Sequence, residues 1–191
     1  MNDAITKALT TWYDKDHLLH FDPLHPAIGL AGEAGELLDL YKKERFKDGV
    51  SWWDCAKCKF SKDSHYSRNG ILWCSESISY TPKIFDELGD LWYYLRISAY
   101  QQDVKLDILK VNMHDEILVS LTQLNYHSAS ILTQYTRDDS TPHYNLLVAS
   151  KWFQNVLILL DTTLDYITEL NWQKLNKPGN HGWSSSARKS P

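Results

Sequence analysis

Apolar residues recur at helical spacing along most of this chain. Five segments show the pattern, with apolar positions three and four residues apart: 4–19, 27–47, 82–102, 115–137 and 142–175. In 115–137 the repeat includes Leu118, Leu121, Leu124, Ile131 and Leu132. The pattern predicts an all-α fold, a helical bundle of about five helices with little sheet.

Helix boundaries are marked by prolines and by charge. Pro26 suits a first helical turn, and Thr81-Pro82 and Thr141-Pro142 each supply a capping hydroxyl followed by a first-turn proline. On a helical wheel of roughly 100° per residue, the segment 82–102 has one buried stripe. Its members are Ile84, Leu88, Leu91, Trp92 and Leu95.

Length and charge limit the classes of function. A chain of 191 residues suits one domain with a sizeable core; we expect a single helical domain over 1–178, with an insertion at 47–81 and a mobile tail at 179–191. A net charge of −4 argues against a broad nucleic-acid surface. The sequence lacks the run of about 18 apolar residues typical of a membrane span and an apolar signal-peptide run near its start. We expect a cytoplasmic protein with no nucleic-acid or membrane partner.

Two acidic pairs are the main candidates for chemistry. Glu33 and Glu36 lie in GLAGEAGELLDLYKK, and Glu87 and Asp90 in FDELGDLWYYL. Each pair is spaced i, i+3, so both carboxylates leave the same side of their helix, beside the apolar stripe. Such acids are costly to desolvate without a cation, which points to Mg²⁺ or Mn²⁺. The alternative is that they only solvate a helix surface.

Glycines favour the site interpretation over the surface one. Gly29, Gly32 and Gly35 recur every third residue inside the second predicted helix. Each costs about 1 kcal/mol relative to alanine in a helix interior. We therefore expect another group to approach this helix closely.

Together the two motifs resemble those of the MazG-like all-α nucleoside triphosphate pyrophosphohydrolases, kin to dimeric dUTPases and phosphoribosyl-ATP pyrophosphatases. The resemblance consists of an E-x-x-E pair after a small-residue helix start, followed by ELGDLWYYL, and covers about residues 25–46 and 82–100. Asn171, Lys174 and Leu175 are similar to the family's later N-x-x-K-L signature. The family usually joins its acidic pairs by a short loop, whereas here residues 47–81 intervene.

The resemblance implies a metal-dependent hydrolysis between the α and β phosphates of a nucleoside triphosphate, which gives monophosphate and pyrophosphate. Two or more Mg²⁺ or Mn²⁺ ions would bind Glu33, Glu36, Glu87 and Asp90, and Glu33 or Glu36 would accept a proton from the attacking water. Family members include enzymes that act on dGTP, so the expected substrate is a purine deoxynucleotide. Sites in this family are commonly completed by another subunit, which implies a homodimer or homotetramer.

Five further residues are candidates for substrate binding. Lys42, Lys43 and Lys174 could stabilise charge on the leaving pyrophosphate, and the family motif suggests that Asn171 contacts sugar or phosphate. Lys42 and Lys43 could equally be surface residues that complement the helix dipole. Trp52 could stack on the base, although it also suits a core or a subunit interface.

The insertion between the acidic helices is rich in tryptophan and contains all three cysteines. Cys55 and Cys58 form a C-x-x-C pair, Cys74 is a third thiol, and His65 could be the fourth ligand of a structural zinc ion. Asn69-Gly70 could turn a hairpin that returns Cys74 to the pair. The usual second C-x-x-C is missing, which favours free thiols in an aromatic flap.

Two other functions fit the sequence. The chain could be a non-catalytic helical adaptor that binds zinc through its Cys-rich flap. It could also be an enzyme of the same fold that hydrolyses a nucleoside diphosphate or a phosphoribosyl nucleotide. The phosphate loop G-x-x-x-x-G-K-[ST], the G-x-S-x-G motif and the H-E-x-x-H motif are all missing from the sequence, which leaves kinase, serine hydrolase and zinc protease functions without support.

Overall fold

A computed structural model describes residues 22–47, 82–106, 114, 116–137 and 142–175, together with the backbone of 65–68 and 71–74. This part of the chain contains five α-helices, which confirms the all-helical bundle. In chain order they are α1 (Leu24–Phe46), α2 (Lys83–Gln101), α3 (Ile117–Arg137), α4 (His143–Leu159) and α5 (Leu164–Leu175). The predicted helix at 4–19 and the predicted tail at 179–191 lie outside the described residues.

The helices pack around one apolar core. Helix α1 contacts α2 and α3, α3 contacts α4, and α2 also contacts α5 and α4. The predicted stripe of α2 is confirmed, because Ile84, Leu88, Leu91, Trp92 and Leu95 are all buried. Burying each aliphatic side chain stabilises the fold by about 2 kcal/mol.

The apolar repeat of α3 is only partly directed at this core. Leu121, Leu124 and Ile131 are buried, and Leu132 packs against the core from its edge. Leu118 is 44% exposed, so this member of the apolar repeat does not face the core. It lies in the first turn of α3.

The helices begin close to the prolines that predicted their starts, but the N-cap residues differ from the prediction. Pro82 and Pro142 occupy the N-cap positions of α2 and α4 and receive no side-chain cap, whereas Thr81 and Thr141 lie outside the described residues. Helix α1 begins three residues earlier than predicted. The Asp22 carboxylate accepts a hydrogen bond from the Leu24 N–H at 2.9 Å, which satisfies one free donor of the first turn.

The prediction of one long helix over 142–175 is wrong, because the structure has two helices here, α4 and α5, joined by a short non-helical segment. Asp161 has φ 50°, a left-handed conformation that ends a helix. Thr163 then starts α5, since its Oγ1 accepts a hydrogen bond from the Tyr166 N–H at 3.2 Å. Leu157, Leu160, Leu164 and Ile167 keep their helical spacing across the break, which hid it in the sequence. The break allows α5 to pack along α2.

Two short strands lie in the insertion. Strands β1 (His65–Arg68) and β2 (Ile71–Cys74) pair antiparallel, with His65 opposite Cys74. The predicted Asn69-Gly70 turn falls between them, outside the described residues. Among the helices described, none is both long and apolar enough to cross a membrane.

Candidate metal centre

Three glutamates meet where α1 and α2 pack together. Glu33 and Glu36 extend from α1 and Glu87 from α2, and one carboxylate oxygen from each lies within 4.8 Å of the others. Glu33 and Glu87 are partly buried, whereas Glu36 is exposed to solvent. The predicted position beside the core therefore holds for two of the three acids, and Glu36 lies at the open edge of the cluster.

Burial and neighbouring acids strongly raise the pKa of Glu33. Burial, and then the negative charges of Asp90, Glu87 and Glu36, raise the pKa of Glu33 to about 8. Each of these effects disfavours a second or third negative charge in the same small volume. Without a cation, Glu33 is therefore mostly protonated at neutral pH.

The pKa of Glu87 is raised as well. Burial raises the pKa of Glu87, and the charges of Glu36 and Asp90 raise it further, while Lys174 opposes the shift. Carboxylate oxygens are the preferred ligands of Mg²⁺ and Mn²⁺, and an ion between these three side chains would offset their repulsion. The donor set thus fits a hard divalent cation.

Asp90 has two partners on α5. Its Oδ1 accepts a hydrogen bond from Asn171 Nδ2 at 2.7 Å, and its Oδ2 forms an ion pair with Lys174. The Asp90 bond and nearby acidic charge raise the pKa of Lys174, despite the opposing effect of its burial. Asn171 and Lys174, predicted from a weak motif more than 70 residues downstream, are thus brought directly to the second acidic pair.

Gly89 was missed in the sequence, although it makes this contact possible. A Cβ added at Gly89 would lie 3.0 Å from both Cβ and Nδ2 of Asn171. That is tighter than an ordinary contact, so a side chain at position 89 would push Asn171, which holds Asp90, by a few tenths of an ångström. The signal was the glycine inside ELGD, which costs helix stability and so indicates a close neighbour.

The predicted close approach to the α1 glycines is confirmed at Gly29 alone. A Cβ there would meet the Tyr94 ring at 2.5–2.7 Å, but at Gly32 or Gly35 it would have no described atom within 4 Å. Tyr94 is a second residue that the sequence analysis missed. Burial raises the pKa of Tyr94, and the charges of Glu33 and Asp90 raise it further, because its hydroxyl lies near these acids. Its spacing from Glu87 and Asp90 by seven and four residues was the available signal.

Lys42 and Lys43 both pair with Asp39, one turn along α1. Hydrogen bonds from the two lysines lower the pKa of Asp39 to about 2. Asp39 raises the pKa of Lys43, to which Glu36 adds a smaller effect of its charge. The pairs lie on the outer face of α1, and a role of these lysines in phosphate binding stays a prediction.

Other predicted site residues fall outside this geometry. Trp52, Cys55 and Cys58 lie outside the described residues. His65 and Cys74 are opposed across the β1–β2 ladder, which brings two of the four predicted zinc ligands to one end of the hairpin. Zinc binding therefore stays a prediction.

Comparisons with known proteins add no relative. No family model, no curated protein and no solved structure matches this chain. The motifs and the geometry of the acidic cluster are therefore the basis for assigning a function.

Proposed function

We propose that this protein is a metal-dependent nucleoside triphosphate pyrophosphohydrolase that cleaves between the α and β phosphates. The observation that supports it most is the convergence of Glu33, Glu36 and Glu87 within 4.8 Å. The resemblance of both motifs to the MazG-like family supports the reaction. We propose a purine deoxynucleoside triphosphate such as dGTP as the substrate.

The three glutamates would hold the cation, either Mg²⁺ or Mn²⁺. Asp90 could join them, because each carboxylate oxygen has two lone pairs and Asn171 and Lys174 each occupy one. When bound, divalent ions would neutralise phosphate charge and make a water molecule more acidic. The proposal includes two or more ions per site, as the family resemblance implies.

The side chains around the metal ions would have separate roles in the reaction. Glu33 or Glu36 would accept the proton of the attacking water, because both lie in the cluster and carboxylates serve as general bases. Lys174 would stabilise negative charge on the leaving pyrophosphate. Asn171 would hold Asp90 in place and fix the position of α5 against α2. Much of the acceleration would come from positioning these groups.

Product analysis with matched variants tests the proposal. The full chain is incubated with each common NTP and dNTP in Mg²⁺ or Mn²⁺, and the products are separated by anion exchange. We expect monophosphate and pyrophosphate from one or a few substrates. Glu36→Gln and Glu87→Gln should lower kcat by at least about 100-fold while helix content is retained.

Glu169→Gln is the matched control, because Glu169 is an exposed acid on α5. It should keep full activity. Retained activity in both cluster variants would overturn the site. Orthophosphate release from a nucleoside diphosphate would instead assign the same-fold alternative, and the absence of turnover with every substrate would contradict the proposed reaction.

A further inference from the structure

A second candidate site lies between α2 and α5. It is a small cavity of about 20 Å³ that opens to solvent, bordered by Trp92, Tyr93 and Arg96 of α2 and by Thr168, Asn171 and Trp172 of α5. None of the four predicted metal ligands lines it. Nothing in the proposed hydrolysis uses Trp92, Arg96 or Thr168.

Arg96 is the unusual feature of this cavity. Its side chain is only 6% exposed, and its Nη2 is buried with no hydrogen-bond partner. The guanidinium lies 5.6 Å from the centre of the Trp92 ring, a cation–π contact. Burial lowers the pKa of Arg96 to about 10, and no acidic group among the described residues offsets that effect. A buried cation without an anion is costly to the fold.

In the described part of the chain, two further residues that line the cavity also have a polar atom without a hydrogen-bond partner. Trp92 Nε1 and Thr168 Oγ1 are both buried without a hydrogen bond. The described residues include seven buried side-chain atoms of this kind, and three of them belong to residues that line this one cavity. Buried polar groups are normally paired, so this concentration indicates a missing acceptor.

We propose that one oxygen of a small oxyanion, a phosphate or carboxylate group, enters this cavity from the solvent side and accepts hydrogen bonds from Arg96, Trp92 and Thr168. An indole N–H can only donate, and so can a guanidinium, whereas a hydroxyl can do either. A water molecule could accept from these groups but could not neutralise Arg96. An oxyanion does both, and its bonds to a guanidinium are among the strong, charge-assisted kind. Asn171 borders both this cavity and the candidate metal centre, but the three proposed donors have no role in the proposed hydrolysis.

Thermal unfolding of the full chain tests this site. Orthophosphate and acetate are titrated separately at constant ionic strength, into protein freed of metal by a chelator that is then removed. For the wild type, the unfolding midpoint should rise with the concentration of at least one anion, as for a ligand that binds only the folded state. A response to phosphate alone or to acetate alone supports the site and identifies the group.

Three variants locate the response. Arg96→Met retains an unbranched apolar stem without the charge. It should need at least about tenfold more anion than the wild type for the same shift of the unfolding midpoint. Thr168→Val removes one neutral donor and should need about fivefold more. Arg137→Met removes an exposed arginine from α3 and should respond like the wild type, which controls for general salt effects.

Several outcomes would overturn the site. The proposal is wrong if neither anion raises the unfolding midpoint of the wild type. It is also wrong if the midpoint of Arg96→Met rises with anion concentration as that of the wild type does. If Arg96→Met does not fold, Thr168→Val decides: a response equal to that of the wild type contradicts the proposal. Hydrolytic activity enters none of these measurements, so they succeed or fail separately from the proposed function.

Discussion

At the scale of single residues, Glu33 shows how the candidate metal site opposes stability when no cation is bound. The pKa of Glu33 is about 8 in the folded chain, against an ordinary value of 4.5. Between these values the folded state holds a proton that the unfolded state has released. The free energy of unfolding therefore falls as pH rises through this window. The raised pKa of Glu87 acts in the same direction.

We predict that the metal-free protein melts at a lower temperature at pH 8 than at pH 5.5. Glu33→Gln should raise the melting temperature at pH 8 and remove much of the difference, because the amide cannot ionise. Asp39, whose pKa is lowered to about 2, changes its charge below this window and does not interfere. Circular dichroism in a chelator measures the effect. If the melting temperature of Glu33→Gln changed with pH as much as that of the wild type, Glu33 would not be the source of the pH dependence.

Lys174 is predicted to contribute to turnover through its charge. Lys174→Met removes the ion pair with Asp90 and the positive charge that lowers the pKa of Glu87. We expect kcat to fall by about 100-fold, comparable to the loss of one transition-state donor. Lys151→Met, on α4, is the control and should behave like the wild type. Equal kcat in the wild type and Lys174→Met would remove Lys174 from the mechanism.

Several side chains that the motifs singled out lie together in the structure. The two acidic pairs and the Asn171–Lys174 spacing were all identified in this way, and Asn171 and Lys174 do contact Asp90. Arg96 was missed, because helical periodicity treats an arginine as a surface residue and its burial depends on how α5 packs. Gly89 and Tyr94 were missed for the same reason, since their neighbours come from other helices.

At the scale of elements, the apolar repeat predicted where helices form better than where they end. The boundaries of α2 and α3 differ from prediction by at most two residues. The break at Asp161 was hidden, because apolar spacing continues through it and its cause is a left-handed backbone angle. That break matters for function, since it produces the separate helix that carries Asn171 and Lys174.

Helix α1 offers a matched pair of substitutions. Gly29→Ala should destabilise the fold by about 1–3 kcal/mol, because the new methyl group would overlap the Tyr94 ring. Gly32→Ala has open space in the described structure and should stabilise it by up to about 1 kcal/mol through helix propensity. Urea unfolding gives both values. Equal effects of the two substitutions would contradict the close packing of Tyr94 on α1.

At the scale of the whole molecule, the bundle exposes several large apolar side chains. Ile28 is 55% exposed, Tyr126 62% and Tyr144 71%. We predict a homodimer or homotetramer, with a mass by light scattering at least twice the 22.2 kDa of one chain. The physical reason is that association would cover these side chains. A mass of one chain across a wide concentration range would contradict the prediction.

The most direct test of the metal centre is equilibrium binding of Mn²⁺, followed by the loss of the free-ion signal in electron paramagnetic resonance. We predict that each chain binds at least one Mn²⁺ ion and that Mg²⁺ competes for it. Glu87→Gln should weaken binding by about tenfold or more, because it removes one of three converging carboxylates, whereas Glu169→Gln should not. A wild type that binds no Mn²⁺, or a Glu87→Gln variant that binds it equally well, would contradict the account.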